Sequence, residues 1–217
     1  MKRLLILSFV LLLQMPQIIA GGWLKGKEKG FFKLNQTVIH GNQFYNGDGE
    51  IKTITTTGVY LTSLYGEYGI ADKFDAIAYV PFVARQTLNS VKFSSGIMQD
   101  GDELTSIGDA QIGVKYGIRQ NQKLVISATL LLGLPIGDDS GGETELLQTG
   151  DGEFNQMVLL EAGYSFDFPL YANVGIGINN RTRGFSEEFR ATAELGYKWK
   201  DKLLGSLKSE IVESFMN

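Results

Sequence analysis

From Asp109 to Ile118 the chain alternates without a slip. Asp109, Gln111, Gly113 and Lys115 fall on one side; Ala110, Ile112, Val114, Tyr116 and Ile118 fall on the other. The pattern returns between Phe189 and Trp199, where Arg190, Thr192, Glu194, Gly196 and Lys198 interleave with Phe189, Ala191, Ala193, Leu195, Tyr197 and Trp199. A period of two places successive side chains on opposite faces of a β-strand. Faces this unlike in polarity leave two closed solutions. One is a barrel with an apolar interior and a wet exterior; the other is its inverse.

Length bounds the answer to one sizeable domain, since 217 residues are few for two. With 27 Gly and 4 Pro, the composition suits many strands and turns. A net charge of −4 supplies no basic footprint for nucleic acid. The first 20 residues read as a secretory signal: Lys2 and Arg3, an apolar stretch from Leu4 to Leu13, and Ile18-Ile19-Ala20 as the cleavage edge before Gly21. Residues 21–217 then form one barrel domain. No later apolar stretch is long enough for a spanning helix, so entry into a membrane would require a closed barrel. The chain has no cysteine, hence no disulfide and no lipid-modified Cys.

Nine strands are expected: Phe31–His40, Ile54–Ile70, Phe74–Arg85, Ile107–Ile118, Leu124–Leu134, Gln156–Phe166, Tyr171–Asn180, Phe189–Trp199 and Leu203–Glu213. Most match the ~9–11 residues a tilted strand needs to cross a bilayer. Short turns at Ala71 to Lys73, Arg119 to Lys123, Asp167 to Leu170 and Lys200 to Lys202 alternate with longer polar loops. The long loops are Gly41 to Glu50, Gln86 to Ser106 and Ile136 to Asn155, with a shorter one at Arg181 to Glu188. Outer-membrane barrels sort their connections in this way. Tyr68, Phe74, Tyr116, Tyr164, Phe166, Tyr171, Tyr197 and Trp199 cluster beside the short turns, as an interfacial aromatic girdle would.

Magnitudes choose the faces. Arg or Lys facing lipid costs ~2–4 kcal/mol each at mid-bilayer. The charged parity therefore faces a lumen, and the lumen-facing set is Asp109, Gln111, Lys115, Glu161, Asn173, Arg190, Glu194 and Lys198. Gly113, Gly163, Gly175, Gly177 and Gly196 share that parity, as a crowded interior would require. Two strands are mixed. Val59, Leu61 and Tyr65 fall with Ser63 and Glu67, and Ile77, Tyr79 and Val83 fall with Asp75 and Arg85. An inward turn of these faces makes the lumen partly apolar. Lumen charges would then serve either as a selectivity filter or as pairs that hold the barrel rigid.

With Gly21 on the periplasmic side, the ninth strand runs outward and leaves Asn217 outside. Single-chain barrels normally have an even strand number, such as 12, so the expectation is a barrel incomplete at its C-terminus. His40 is the lone histidine, and its pairing with Ser63 as a nucleophile and base has no support from spacing; the reading is not an enzyme. Acidic, Gly-rich loops at Asn46 to Glu50, Asp100 to Glu103 and Asp138 to Glu153 lack the full EF-hand spacing and read as solvated turns. No cofactor or metal is implied.

Gly22-Trp23 followed by Lys29-Gly30-Phe31-Phe32-Lys33-Leu34, then Ser106-Ile107-Gly108-Asp109-Ala110, Leu134-Pro135-Ile136-Gly137-Asp138 and Leu147-Gln148-Thr149-Gly150-Asp151-Gly152-Glu153, resemble turn motifs of a known family. It is the "MetA-pathway of phenol degradation" type of outer-membrane barrel, in a form like that of Bacteroidetes. The resemblance implies an antiparallel transmembrane β-barrel in the outer membrane of a Gram-negative bacterium. Its implied role is a channel or transporter for small molecules, hydrophobic or aromatic ones included. The alternative is a non-conducting barrel whose long loops bind a partner. Expected partners are the lipid bilayer, a small-molecule solute and the barrel-assembly machinery.

Overall fold

The computed structural model describes residues 21–92, 95–96, 98–200 and 203–215, so the segment read as a signal peptide lies outside the described residues. Within them the chain is all β. The strands are β1 (Gly30–Tyr45), β2 (Ile51–Ala71), β3 (Phe74–Leu88), β4 (Val91–Lys92), β5 (Met98–Gln99), β6 (Asp102–Ser106), β7 (Ala110–Gln120), β8 (Leu124–Leu134), β9 (Asn155–Ser165), β10 (Leu170–Arg181), β11 (Glu188–Trp199) and β12 (Leu203–Ser214). The long strands form an antiparallel meander in the order β1-β2-β3-β7-β8-β9-β10-β11-β12. β6 pairs with the far part of β3, and β4 and β5 form a separate hairpin.

Register carries the alternation across the whole sheet. One row runs Ala76, Val114, Leu130, Val158, Ile178 and is apolar throughout. The adjacent row runs Asp75, Lys115, Thr129, Leu159, Gly177, Arg190 and is largely polar. The polar row lies on the concave side of a half-barrel. Tyr65 and Ile77 of β2 and β3 share one buried cluster with Leu131, Met157 and Leu159 of β8 and β9. Strands so far apart in the sheet meet only if it curls. The two ends of the curl, β1 and β12, do not pair with each other among the described residues.

All nine expected strands are present, with three differences. β1 extends into the expected loop at Gly41 to Glu50 and β2 starts earlier than Ile54, pairing as far as Tyr45 with Ile51 across a register shift near Gly41. Asn46 closes the hairpin, its side-chain oxygen accepting the Asp48 and Glu50 N–H groups. Backbone pairing needs no apolar side chain, so polar composition hid this extension. The segment Gln86 to Ser106 is likewise not a loop throughout, since β3 runs to Leu88 and β6 pairs with it.

The third difference changes faces. Thr62 and Leu64 oppose Val83 and Val80, which leaves one extra residue in β3 at Pro81 and Phe82. Pro81 has no N–H to give a ladder, and a bulge is where a strand tolerates it. Beyond the bulge the parity inverts. Asp75 and Ile77 stay buried on the concave side and Tyr79 packs against the cluster, but Val83 is exposed and Ala84 buried in its place. Arg85 leaves the concave face as well and binds Glu103 at 2.5 Å.

The connection 135–154 folds back over the long-loop end. Asp109 precedes β7, and its carboxylate accepts the Gly137 N–H at 2.9 Å and the Asp151 N–H at 2.8 Å. It pins a loop instead of standing free. Burial pushes the Asp109 carboxyl above its usual range, and the two N–H groups oppose that shift. Asp102 anchors the same loop through the Thr144 hydroxyl and the Glu143 and Thr144 N–H groups. The Thr144 hydroxyl, then the Thr144 N–H, hold the Asp102 carboxyl below its usual range.

A carboxylate with a depressed folded-state pKa stabilises its contact above the unfolded value and loses that stabilisation as pH falls through the folded one. Loop residues 141–147 should therefore stay docked at neutral pH and open on strong acidification. Hydrogen exchange across that segment reads the change. Asp102→Asn should remove most of its pH dependence.

Candidate functional site: the concave face

The concave face holds charges with no exposure. Glu67, Asp75 and Lys115 are each 0% exposed. The convex side is the reverse: Leu34 is 69% exposed, Val174 55% and Ile176 53%. Tyr68, Phe74, Tyr116, Tyr164, Phe166, Tyr197 and Trp199 also project from it, exposed beside the short turns. Phe74 meets Tyr116 at 5.0 Å and Tyr164 meets Phe166 at 5.0 Å. Phe168, not anticipated from sequence, extends that row at 5.5 Å from Phe166.

Tyr171 does not belong to this row. It shares β10 parity with Asn173, so its ring turns to the concave side, where it lies over Gly196. Its hydroxyl donates to Glu194 at 2.5 Å, and its ring meets Trp23 edge-on at 5.6 Å. Proximity to a turn suggested the girdle; parity decides otherwise.

Trp23 belongs to a segment that the alternation could not place. Residues 21–27 lie across the concave face near the short turns. The Lys115 ammonium donates to the Gly21 carbonyl at 2.8 Å, and the Gly22 N–H donates to Asn173 Oδ1 at 3.1 Å. Gln120 holds Gly22 O and the Leu24 N–H, and the Lys25 N–H donates to Asp75 at 2.7 Å. Lys25 also pairs with Glu67 at 3.1 Å, with Lys115 3.7 Å from the same carboxylate. Gly163 makes the strap possible, because the Trp23 ring occupies the space a Cβ would fill. Gly113 and Gly177 seat Leu131 and Leu159 in the same way, so the concave glycines answer to crowding.

A cavity of about 310 Å³ opens beyond the strap over β8 to β12. Gln111, Glu161, Asn173, Arg190 and Glu194 of the expected set line it. Lys115 is buried under the strap, Asp109 is committed to the loop, and Lys198 is exposed near the short turns. Pairing dominates, yet with partners outside the expected lumen-facing set. Arg190 binds Glu188 at 2.8 Å and Glu210 at 3.5 Å. Arg181 binds Glu153 at 2.5 Å, Glu188 at 3.0 Å and Asp151 at 3.6 Å. Arg181 and Glu188 lie at the two ends of a segment that reads as a loop. The signal available was that Glu188 and Arg190 share one parity.

No protein-family model and no curated protein matches this chain. His40 and Ser63 cannot act together: Ser63 is buried on the concave side, while His40 bonds Tyr60 at 2.7 Å on the opposite parity. The acidic loops use their oxygens internally, as in the Asn46 turn and the Asp139–Arg183 pair at 2.7 Å. Among the described residues, no group of three or more His, Cys, Asp or Glu could hold a metal ion.

Two outcomes follow from the strap. Lys115→Met removes one of the two cations beside the buried Glu67 carboxylate and should cost about 3–5 kcal/mol, the range for breaking a buried pair; denaturant unfolding measures it. Gly163→Val should evict Trp23 from the concave face and cost about 1–3 kcal/mol as overpacking. Its signature is a red shift of Trp23 emission in a Trp199→Phe background.

Proposed function

We propose that this chain builds most of an outer-membrane β-barrel that passes small molecules along its concave face. One observation carries the reading. Charged groups are sealed on the inside of the curl while large apolar side chains stand exposed outside it, the polarity of a membrane barrel and the inverse of a soluble one. The exposed apolar surface spans the whole convex side, far beyond the scattered residues normal on a soluble protein. Aromatic side chains at the short-turn end suit a periplasmic interface.

Closure is part of the proposal. In hydrocarbon each unpaired backbone group costs several kcal/mol, so the edges of β1 and β12, which do not pair with each other among the described residues, must find backbone partners in the membrane. The resemblance to the phenol-degradation type of barrel agrees with passage of aromatic or hydrophobic compounds. The apolar cluster of Tyr65, Ile77, Leu131, Met157 and Leu159 in the concave wall supports the same class of solute. A second reading, a plugged barrel whose loops bind a partner, draws on the strap, which is tied down at both its backbone and its Lys25 side chain.

Planar-bilayer conductance of the full-length protein tests passage and separates the two. Removal of residues 21–25 should raise conductance several-fold where the strap gates a path. A barrel silent both with and without the strap overturns passage. The membrane assignment has its own test. Ile176→Arg on the convex face should destabilise the protein in lipid vesicles by about 2–4 kcal/mol, whereas a water-facing site would tolerate it within about 0.5 kcal/mol.

A further inference from the structure

We infer that the cavity over β8 to β12 is a seat for a small amphipathic organic cation, its ammonium on Glu161 and its apolar stem along Leu159 and Met157. The inference rests on the concave face being a solute path and names the solute class that path would take. Three buried oxygens in the cavity wall have no hydrogen-bond partner among the described residues: Glu161 Oε2, Glu153 Oε2 and Asn179 Oδ1. Glu161 is 4% exposed, Glu153 1% and Asn179 5%. A buried carboxylate oxygen without a donor is costly, more so than a neutral group. All three are acceptors; beside Glu161 the wall offers only the neutral Ser127 and Thr129 hydroxyls, so a charged donor must come from a ligand.

The cations already in the wall are engaged elsewhere. Arg181 serves Glu153 Oε1, Glu188 and Asp151, and Arg190 serves Glu188 and Glu210. Lys115 is turned to the Gly21 carbonyl and Glu67, and Lys208, opposite Glu194 in the register, acts on Glu161 only at a distance, with no ion-pair contact between them. The remaining balance is negative and acceptor-rich. A carboxylate or phosphate solute would be repelled by this lining, and a neutral alcohol would bring no cation into contact with Glu161.

The wall between the free oxygens sets the shape of the stem. Met157 pairs with Asn179, and Glu161 follows Met157 by four residues on β9. At about 3.3 Å per residue the two acceptor positions are ~13 Å apart along the strand. Leu159 and Met157 fill that interval with Leu131 beside them, all buried in one cluster. A stem of aliphatic carbons, with an ammonium at one end and a second donor at the other, matches this order of acceptor, apolar strip and acceptor.

Diaminooctane is a suitable probe, with octanediol as its neutral counterpart of equal length. Calorimetry on the full-length protein in micelles should show the diamine binding at least tenfold more tightly than the diol. Glu161→Gln, which keeps shape and removes charge, should erase most of that preference. Equal binding of diamine and diol to the wild-type protein overturns the inference, as does a Glu161→Gln protein that retains the preference. The wild-type comparison needs no variant and stands even where the substitution impairs folding. Because binding and conductance are separate readouts, a conducting barrel without diamine preference removes this inference alone. Diamine binding to a silent barrel removes passage alone.

Discussion

Lys115 and Glu67 have no exposed surface, and the rest of the concave architecture depends on how that is tolerated. Desolvating an ammonium and a carboxylate costs several kcal/mol each, recovered only with close partners and further hydrogen bonds. β2 and β7 are separated by β3 in the sheet, so curling is what brings the two side chains within reach. Even then Lys115 has unsatisfied donors and Glu67 a second cation to accept. The strap supplies both: Gly21 gives a carbonyl to the lysine, and Lys25 gives an ammonium to the glutamate. Curl, charge and strap are one arrangement.

The same arrangement explains the small residues. A strap crossing the inner wall needs room, and Gly163 provides it beneath Trp23. Tyr171, turned inward by its parity, lies over Gly196 and braces the Trp23 ring from the side. Above the strap the wall changes character, from the strap's polar anchors to the cluster around Leu131, Met157 and Leu159, and then to the Arg181 network under the folded loop. A solute moving along this face would meet apolar surface between two charged zones.

Much of this was legible in the chain before folding. Alternation in Ala110–Gln120 and Glu188–Trp199 names both faces, and the glycines on the charged parity foretell a crowded interior. Local composition misled in the hairpin at Tyr45 and Ile51, where polar residues extend strands because the ladder needs only backbone groups. It misled again at Val83 and Arg85, since period-two counting assumes no inserted residue and the bulge at Pro81 inserts one. Nearness to a turn groups Tyr171 with the girdle, although its own parity points inward.

The sequence by itself determined where the long strands lie, their two faces wherever no bulge intervenes, and the place of the tight turns, because these depend on neighbours one or two residues away. Only the tertiary structure decided which charges meet, where residues 21–27 lie and which oxygens remain without a donor. The contacts that settle those questions join residues far apart in the chain, 94 positions between Gly21 and Lys115 and 151 between Gly22 and Asn173. No local pattern encodes such a pairing. The curl of the sheet creates it, since desolvated charges and backbone groups must find partners wherever the fold brings them.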